Sequence, residues 1–318
     1  MIFPAVSIED HCRGSLLGLA VGDALGAPVE FALSGTFEPV VDMRGGGRLK
    51  LPPGYWTDDT SMALCLADSL IGSRGFNARD QMDRYVRWFQ NGHNSAIGRA
   101  FGVGKTVIKS LTSYMRTGAP LAGSTHPHSA GNGSLMRLAP IPIFFHNDPA
   151  TAAHMAGESS RTTHALPICV DACRYFALLI WGALHGASKN ELLDKPFDAG
   201  TGFWKSNPLH PEIHAVASGS FLHKEPPAIS GSGFVVRSLE AALWAFSRAG
   251  TFAEGALLAV NLGEDADTTG AIYGQLAGAF WGADGIPMSW LTRLHDRERI
   301  DATAMTLYQA GEQEFPAV

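Results

Sequence analysis

Two short stretches gather most of the residues in this chain that could perform metal or acid–base chemistry. Gly263-Glu264-Asp265-Ala266-Asp267-Thr268-Thr269-Gly270 follows an apolar run at 256–260 and carries two aspartates and two threonines within five residues. Thr57-Asp58-Asp59-Thr60 has the same make-up. Oxygen-only donor sets of this kind suit a hard divalent cation such as Mg²⁺, Mn²⁺ or Ca²⁺, whereas zinc usually takes His or Cys beside them. Each stretch read alone is an ordinary helix start, with Asp265 or Asp267 as N-cap and the neighbouring acid favouring the helix dipole. Read together they make two half-sites. Two ions held about 3.5–4 Å apart need bridging carboxylates and several oxygens, which four aspartates and their threonines would supply.

Other candidates carry less. Gly102-Val103-Gly104-Lys105-Thr106 suggests a phosphate loop, but Arg99 stands where such a loop needs its first glycine. His164, after Thr162-Thr163, could be a ligand or base, although a lone His at a helix start is more often a hydrogen-bonding residue. Cys169 and Cys173, one helical turn apart, read as core residues rather than metal ligands. Ser15 and Ser134 have no neighbouring His-Asp arrangement, so a serine hydrolase is unsupported.

The elements that must hold the acids in place are helical. Gly14, Gly18, Gly22 and Gly26 recur at every fourth position of an apolar segment, and Gly270, Gly274, Gly278 and Gly282 repeat the ladder. A glycine inside a helix costs about 1 kcal/mol relative to alanine. Spacing of four puts each ladder on one face, where another helix can approach closely. If the two helices pack antiparallel on each other, Asp23 and Glu30 meet Asp265 and Asp267 at one end of the core; alternatively each ladder meets a different helix. Helical patterns also cover a stretch opened by residues 55–60 and running to about 73, and 78–90, 150–160, 167–185, 208–218, 235–248 and 251–260. Residues 31–56 and 119–134 read as long loops, and 190–207 as the one candidate linker. No run of alternating strands is present, so the expected fold is all-α, in one domain over 1–318.

Composition narrows the class. The 318 residues are 46% hydrophobic and only 17% charged, with net charge −6; the pI is near 6.0 and the mean hydropathy +0.04. No basic excess is available for phosphates, which argues against a general nucleic-acid or membrane-surface binder. Four cysteines without CxxC spacing and an N-terminus, Met1 to Pro4, without a leader pattern indicate a reduced, cytoplasmic protein. The apolar stretch 175–184 is too short for a bilayer and reads as a buried helix.

Five motifs in order then carry a family resemblance: Gly14-Ser15-Leu16-Leu17-Gly18-Leu19-Ala20-Val21-Gly22-Asp23-Ala24-Leu25-Gly26 with Glu30, Trp56-Thr57-Asp58-Asp59-Thr60, Gly131-Asn132-Gly133-Ser134-Leu135-Met136-Arg137, Thr163-His164, and the 263–270 stretch. Together they resemble the ADP-ribosylglycohydrolase family, which includes dinitrogenase reductase-activating glycohydrolases and eukaryotic ADP-ribosylhydrolases. The resemblance implies a compact orthogonal helical bundle with two Mg²⁺ or Mn²⁺ ions in a cleft. It implies that Thr57, Asp58, Asp59 and Asp267 hold one ion, and Asp59 or Asp265 with Asp267 and Thr268 the other. Gly131, Asn132, Gly133, Ser134 and Met136 would meet the diphosphate side, His164 the distal ribose or phosphates, and Glu30 the reacting ribose. Glu30 or Asp59 would then act as base. The implied substrate is an ADP-ribosylated protein, most often through arginine, cleaved by a monomer. A serine linkage, a nucleic-acid base or a free metabolite are alternatives, as is a binding protein without catalysis. One departure stands out: many bacterial members carry Phe-Asp-Ile-Gly where this chain has Phe101-Gly102-Val103-Gly104.

Overall fold

In the computed structural model, residues 7–316 are described; Met1 to Pro4, and with them the leader reading, lie outside them. The described residues are 61% helical, in fifteen α-helices without a strand. The first, α1 (Ile8–Gly26), starts at Ser7, whose side chain accepts from the Asp10 amide, with Glu9 and Asp10 in its first turn. It is matched by α13 (Ala266–Trp281), and from Gly14 to Gly26 every residue of α1 is buried. The ladders face each other. A Cβ placed at Gly14, Gly18, Gly22 or Gly26 would run into the backbone of Gly278, Gly274, Gly270 or Ala266 respectively. The helices are therefore antiparallel and in backbone contact. The second ladder is one step out of line with the expectation: Gly282 lies past the end of α13 as its C-cap, and Ala266 faces Gly26.

The remaining helices wrap this pair. They are α2 (Asp58–Ser73), α3 (Ala78–Asn91), α4 (Lys105–Thr117), α5 (Pro140–Phe144), α6 (Pro149–Arg161), α7 (Pro167–Leu184), α8 (Lys189–Leu193), α9 (Phe203–Ser206), α10 (Pro211–Ala217), α11 (Val235–Arg248), α12 (Phe252–Val260), α14 (Met288–Arg293) and α15 (Arg297–Glu314). Six of the expected helical stretches and both long loops are found within a few residues of their places; α10 is shorter, starting at Pro211. One expectation changes. Residues 190–207 are no linker, because α8 puts Leu192 and Leu193 into the core and Phe197 packs against Gly182. The helix expected over 167–185 and its buried apolar run are found as α7, whose 18 residues have mean hydropathy 1.4, enough by length and composition to cross a membrane, and 78% of it is buried inside the protein. That burial marks a core helix.

Capping shows where function overrides local structure. Asp265 occupies the N-cap position of α13 and Thr57 that of α2, but neither side chain caps its helix. The start of α2 is capped from another helix instead. Asp23 of α1 accepts from the Thr57 amide (2.8 Å), the Thr57 hydroxyl (2.9 Å), the Thr60 amide (3.0 Å) and the Thr60 hydroxyl (2.6 Å). The other acids at the two helix starts are thereby left for another task.

A buried acidic centre and its cleft

The antiparallel pairing brings the end of α1 to the start of α13, and Asp23 docks the start of α2 onto both. Six carboxylates converge there, those of Asp23, Glu30, Asp58, Asp59, Asp265 and Asp267. Two triads have carboxylate oxygens within 4.8 Å of one another: Asp23, Asp59 and Asp267, and Glu30, Asp265 and Asp267. Asp267 belongs to both. Thr57 is fully buried in the first triad, its hydroxyl 2.9 Å from Asp59 Oδ2 and 3.3 Å from Asp267 Oδ2 as well as bonded to Asp23. Thr268 and Asp58 line the cleft above the centre, with Asp58 outside both triads.

Electrostatics decides what this arrangement can hold. Burial pushes the Asp58 and Glu30 carboxyls up to about 8 and Asp23 to about 6, with Asp23 and Asp265 adding repulsion at Asp58, and Asp58, Asp265 and Asp23 adding it at Glu30. Asp59 and Asp267 are raised strongly, first by burial and then by the surrounding acids. Such a cluster is stable only with protons or cations between its oxygens. Three observations favour cations. Asp59 Oδ1 and Glu30 Oε2 are buried without a hydrogen-bond partner. The Thr57 hydroxyl has one proton for three carboxylate oxygens; once it donates to Asp23, its lone pairs face two further anions. All donors are oxygens, the preference of Mg²⁺, Mn²⁺ and Ca²⁺. The residues fit two hard cations sharing Asp267.

Above the acids opens a cleft of about 390 Å³. One wall is the Gly131–Met136 loop, which is locked from behind. Arg137, fully buried, donates to the Gly133 carbonyl (2.9 Å) and the Thr163 hydroxyl (2.7 Å), and its guanidinium lies 4.7 Å from the Tyr85 ring centre. Thr163, accepting from Arg137, has its one hydroxyl hydrogen free to donate, and its oxygen lies 2.9 Å from His164 Nδ1. This order leaves the imidazole hydrogen on Nε2, beside Gly131 and Gly133. Burial and Arg137 push His164 down to about 3, so it meets the cleft as a neutral donor. Gly131, Asn132, Gly133 and Met136 all line the cleft, but two expectations need correction. The Asn132 amide is used by the Gly233 carbonyl (3.2 Å), while its side chain donates to Asp265 (2.7 Å). Ser134 lies behind the loop, accepting from Ser160 (2.8 Å) and Cys173, and does not reach the cleft. The amides of Gly131 and Gly133 have no hydrogen-bond partner among the described residues.

The lining is completed by Phe31, by Gly233, which accepts from the Asn132 amide, and by the start of α4 at Lys105–Val107, whose Lys105 and Thr106 belong to the stretch read above as a weak phosphate-loop candidate. Gly102 lies there with φ +74°, and a Cβ would collide with Asp58 Oδ1. A side chain at this position would have to displace the Asp58 carboxylate and adopt a left-handed backbone. Cys169 and Cys173 are buried core thiols near the loop, in no cluster with His164. A larger hollow of about 480 Å³ lies at the other end of α1, but its Arg13 is taken up by Asp301 and, among the described residues, no carboxylate triad faces it.

Comparison with known proteins agrees with this geometry. The family model described as ADP-ribosylglycohydrolase matches residues 4–317. The chain is 37% identical over 315 residues to the ADP-ribosylarginine hydrolase Tri1 of Serratia proteamaculans, covering 99% of this chain and 83% of that protein. It is 32% identical over 295 residues to the ADP-ribosyl-[dinitrogen reductase] glycohydrolase of Rhodospirillum rubrum, covering 91% of each. A solved chain titled "ADP-ribosylglycohydrolase-related protein complex" superposes with a TM-score of 0.84 at 46% identity, covering 96% of this chain and 99% of that one. With its acidic centre, its cleft and a match over almost its whole length, this chain belongs to the ADP-ribosylglycohydrolase family and is an ADP-ribosylglycohydrolase.

Proposed function

We propose that this protein is a cytoplasmic, monomeric enzyme of one domain that removes ADP-ribose from arginine on proteins, using two Mg²⁺ or Mn²⁺ ions. The observation that carries the reading is the pair of carboxylate triads sharing Asp267 at the floor of the cleft. Support for the arginine linkage comes from the named activities of the two Tri1 relatives, 37% and 38% identical to this chain. Thr57, Asp59 and Asp267 would hold one ion and Asp265, Asp267 and Thr268 the other, with Asp58 at the cleft side. Bound ions supply Lewis acidity toward ribose hydroxyls and an attacking water.

The chain's own groups do the rest. The Gly131 and Gly133 amides and His164 Nε2–H point donors at the diphosphate side, where a neutral imidazole donates without titrating. Glu30, whose Oε2 is buried without a hydrogen-bond partner, faces the reacting ribose and takes the proton of the attacking water or stabilises the oxocarbenium-like state. The guanidinium of the substrate leaves as neutral guanidine. A panel of arginine-, serine- and nucleobase-linked ADP-ribose conjugates tests the assignment: release from the arginine conjugate alone is expected, and release only from another linkage overturns it. In the same assay Glu30→Gln is expected to keep ADP-ribose affinity and lose at least a hundredfold in rate; full activity removes Glu30 from the mechanism.

A further inference from the structure

One residue at the mouth of the cleft is unexplained by packing or by the acidic centre. Phe31, next to Glu30, is 57% exposed and sits in the left-handed backbone region at φ +66°. Two backbone hydrogen bonds hold it there: its amide donates to the Glu264 carbonyl (2.6 Å), and the Glu264 amide donates to Ala32 (2.7 Å). Glu264 is itself left-handed at φ +57°. A bulky side chain in this conformation is strained, and Phe31 recovers little of that by burial. What the backbone achieves is to keep an aromatic ring at the rim beside Glu30, lining the cleft. The ring already engages a guanidinium: Arg48, an exposed residue of the 31–56 loop, lies 5.3 Å from its centre.

We infer that the Phe31 ring is the platform for the acceptor guanidinium, and that Arg48 occupies the same aromatic face in the absence of substrate. The inference rests on the arginine reading above and names the residue that would carry acceptor specificity. An N-ribosylated arginine is cationic before cleavage, and a ring face beside carboxylates attracts such a cation. As the charge passes to the ribose in the transition state the attraction fades, so the platform contributes to binding and leaves the chemical step alone.

The test uses full-length protein saturated with Mg²⁺ and ADP-ribose, and agmatine as the guanidinium probe, with dissociation constants from ligand-observed NMR. Phe31→Leu is expected to weaken agmatine by roughly two- to fivefold, Phe31→Tyr to retain it, and Arg48→Ala to tighten it by a similar factor. Toward the arginine conjugate, Phe31→Leu raises KM by the same factor and leaves kcat unchanged. Equal agmatine affinity in wild type and Phe31→Leu overturns the platform, whatever the substrate. Failure of wild type to cleave the arginine conjugate, with the agmatine order intact, overturns the proposed function and leaves the platform standing.

Discussion

Replacing Gly22 by alanine separates two physical arguments by sign. Helix propensity alone says that alanine in the middle of α1 stabilises by about 1 kcal/mol. The structure says otherwise, because a Cβ at Gly22 enters the Gly270 backbone, and backbone on both sides cannot step aside as a side chain can. Overpacking of a close-packed core costs about 1–3 kcal/mol, and the upper end applies where no rotamer relieves it. The net expectation for Gly22→Ala is a loss of about 2 kcal/mol. With an unfolding entropy of roughly 2.1 cal/mol/K per residue, that lowers Tm by about 3 °C. The neighbouring residue is Asp23, which docks α2, so prising the helices apart at this rung also weakens the acidic centre. Gly14→Ala is the control: it meets Gly278 in the same way, about 12 Å farther along the helix. Calorimetry and Mn²⁺ titration of both variants are the assays. Both should lose stability, and Gly22→Ala alone should lose metal affinity. A Gly22→Ala protein as stable as wild type or more so would refute the ladder as the organiser of the site.

Two further outcomes follow from the buried charge. Asp59→Asn should raise Tm in EDTA, because it removes one of several mutually repelling carboxylates, and should reduce the rise produced by Mg²⁺, which for wild type with each of two sites at a hundredfold over Kd is about 5.4 kcal/mol or about 8 °C; thermal scans with and without metal read both. The pH dependence of the EDTA-treated protein follows from folded-state values of about 6 for Asp23 and about 8 for Asp58 and Glu30, all above the unfolded values. Protonated forms then favour the folded state, so this contribution is complete near pH 4 and is lost as pH rises to 8. Stability in EDTA should fall across that window, Mg²⁺ should remove the fall, and a flat profile in EDTA would contradict the clustering.

Much of the site was legible because glycine spacing and acid spacing point to one place. The ladders predict a close helix pair, and an antiparallel pair brings Asp23 and Glu30 to Asp265 and Asp267, as found. Capping propensity could not tell a structural acid from a functional one: Asp23, in the middle of an apolar helix, proved to be the cap of α2, while the acids at the helix starts cap nothing. Ser134 is indistinguishable in sequence from its loop neighbours, and only the turn of the backbone sends it to Ser160. Helices α4 and α15 were not among the expected stretches, although the buried spacing of Val107, Leu111 and Tyr114, and of Ile300, Ala304, Leu307 and Gly311, carries a helical signal in each; a glycine-rich entry obscures the start of α4. Phe31 carries no sequence signal, since nothing local predicts a positive φ at phenylalanine.

The central claim is that Asp267 is shared by two cation sites. Elemental analysis of Mn²⁺ retained after gel filtration tests it directly, with circular dichroism confirming that each variant is folded. Wild type should retain two ions per chain, Asp59→Asn one, and Asp267→Asn neither. A wild-type protein that holds a single ion, or an Asp267→Asn variant that keeps two, would contradict the account.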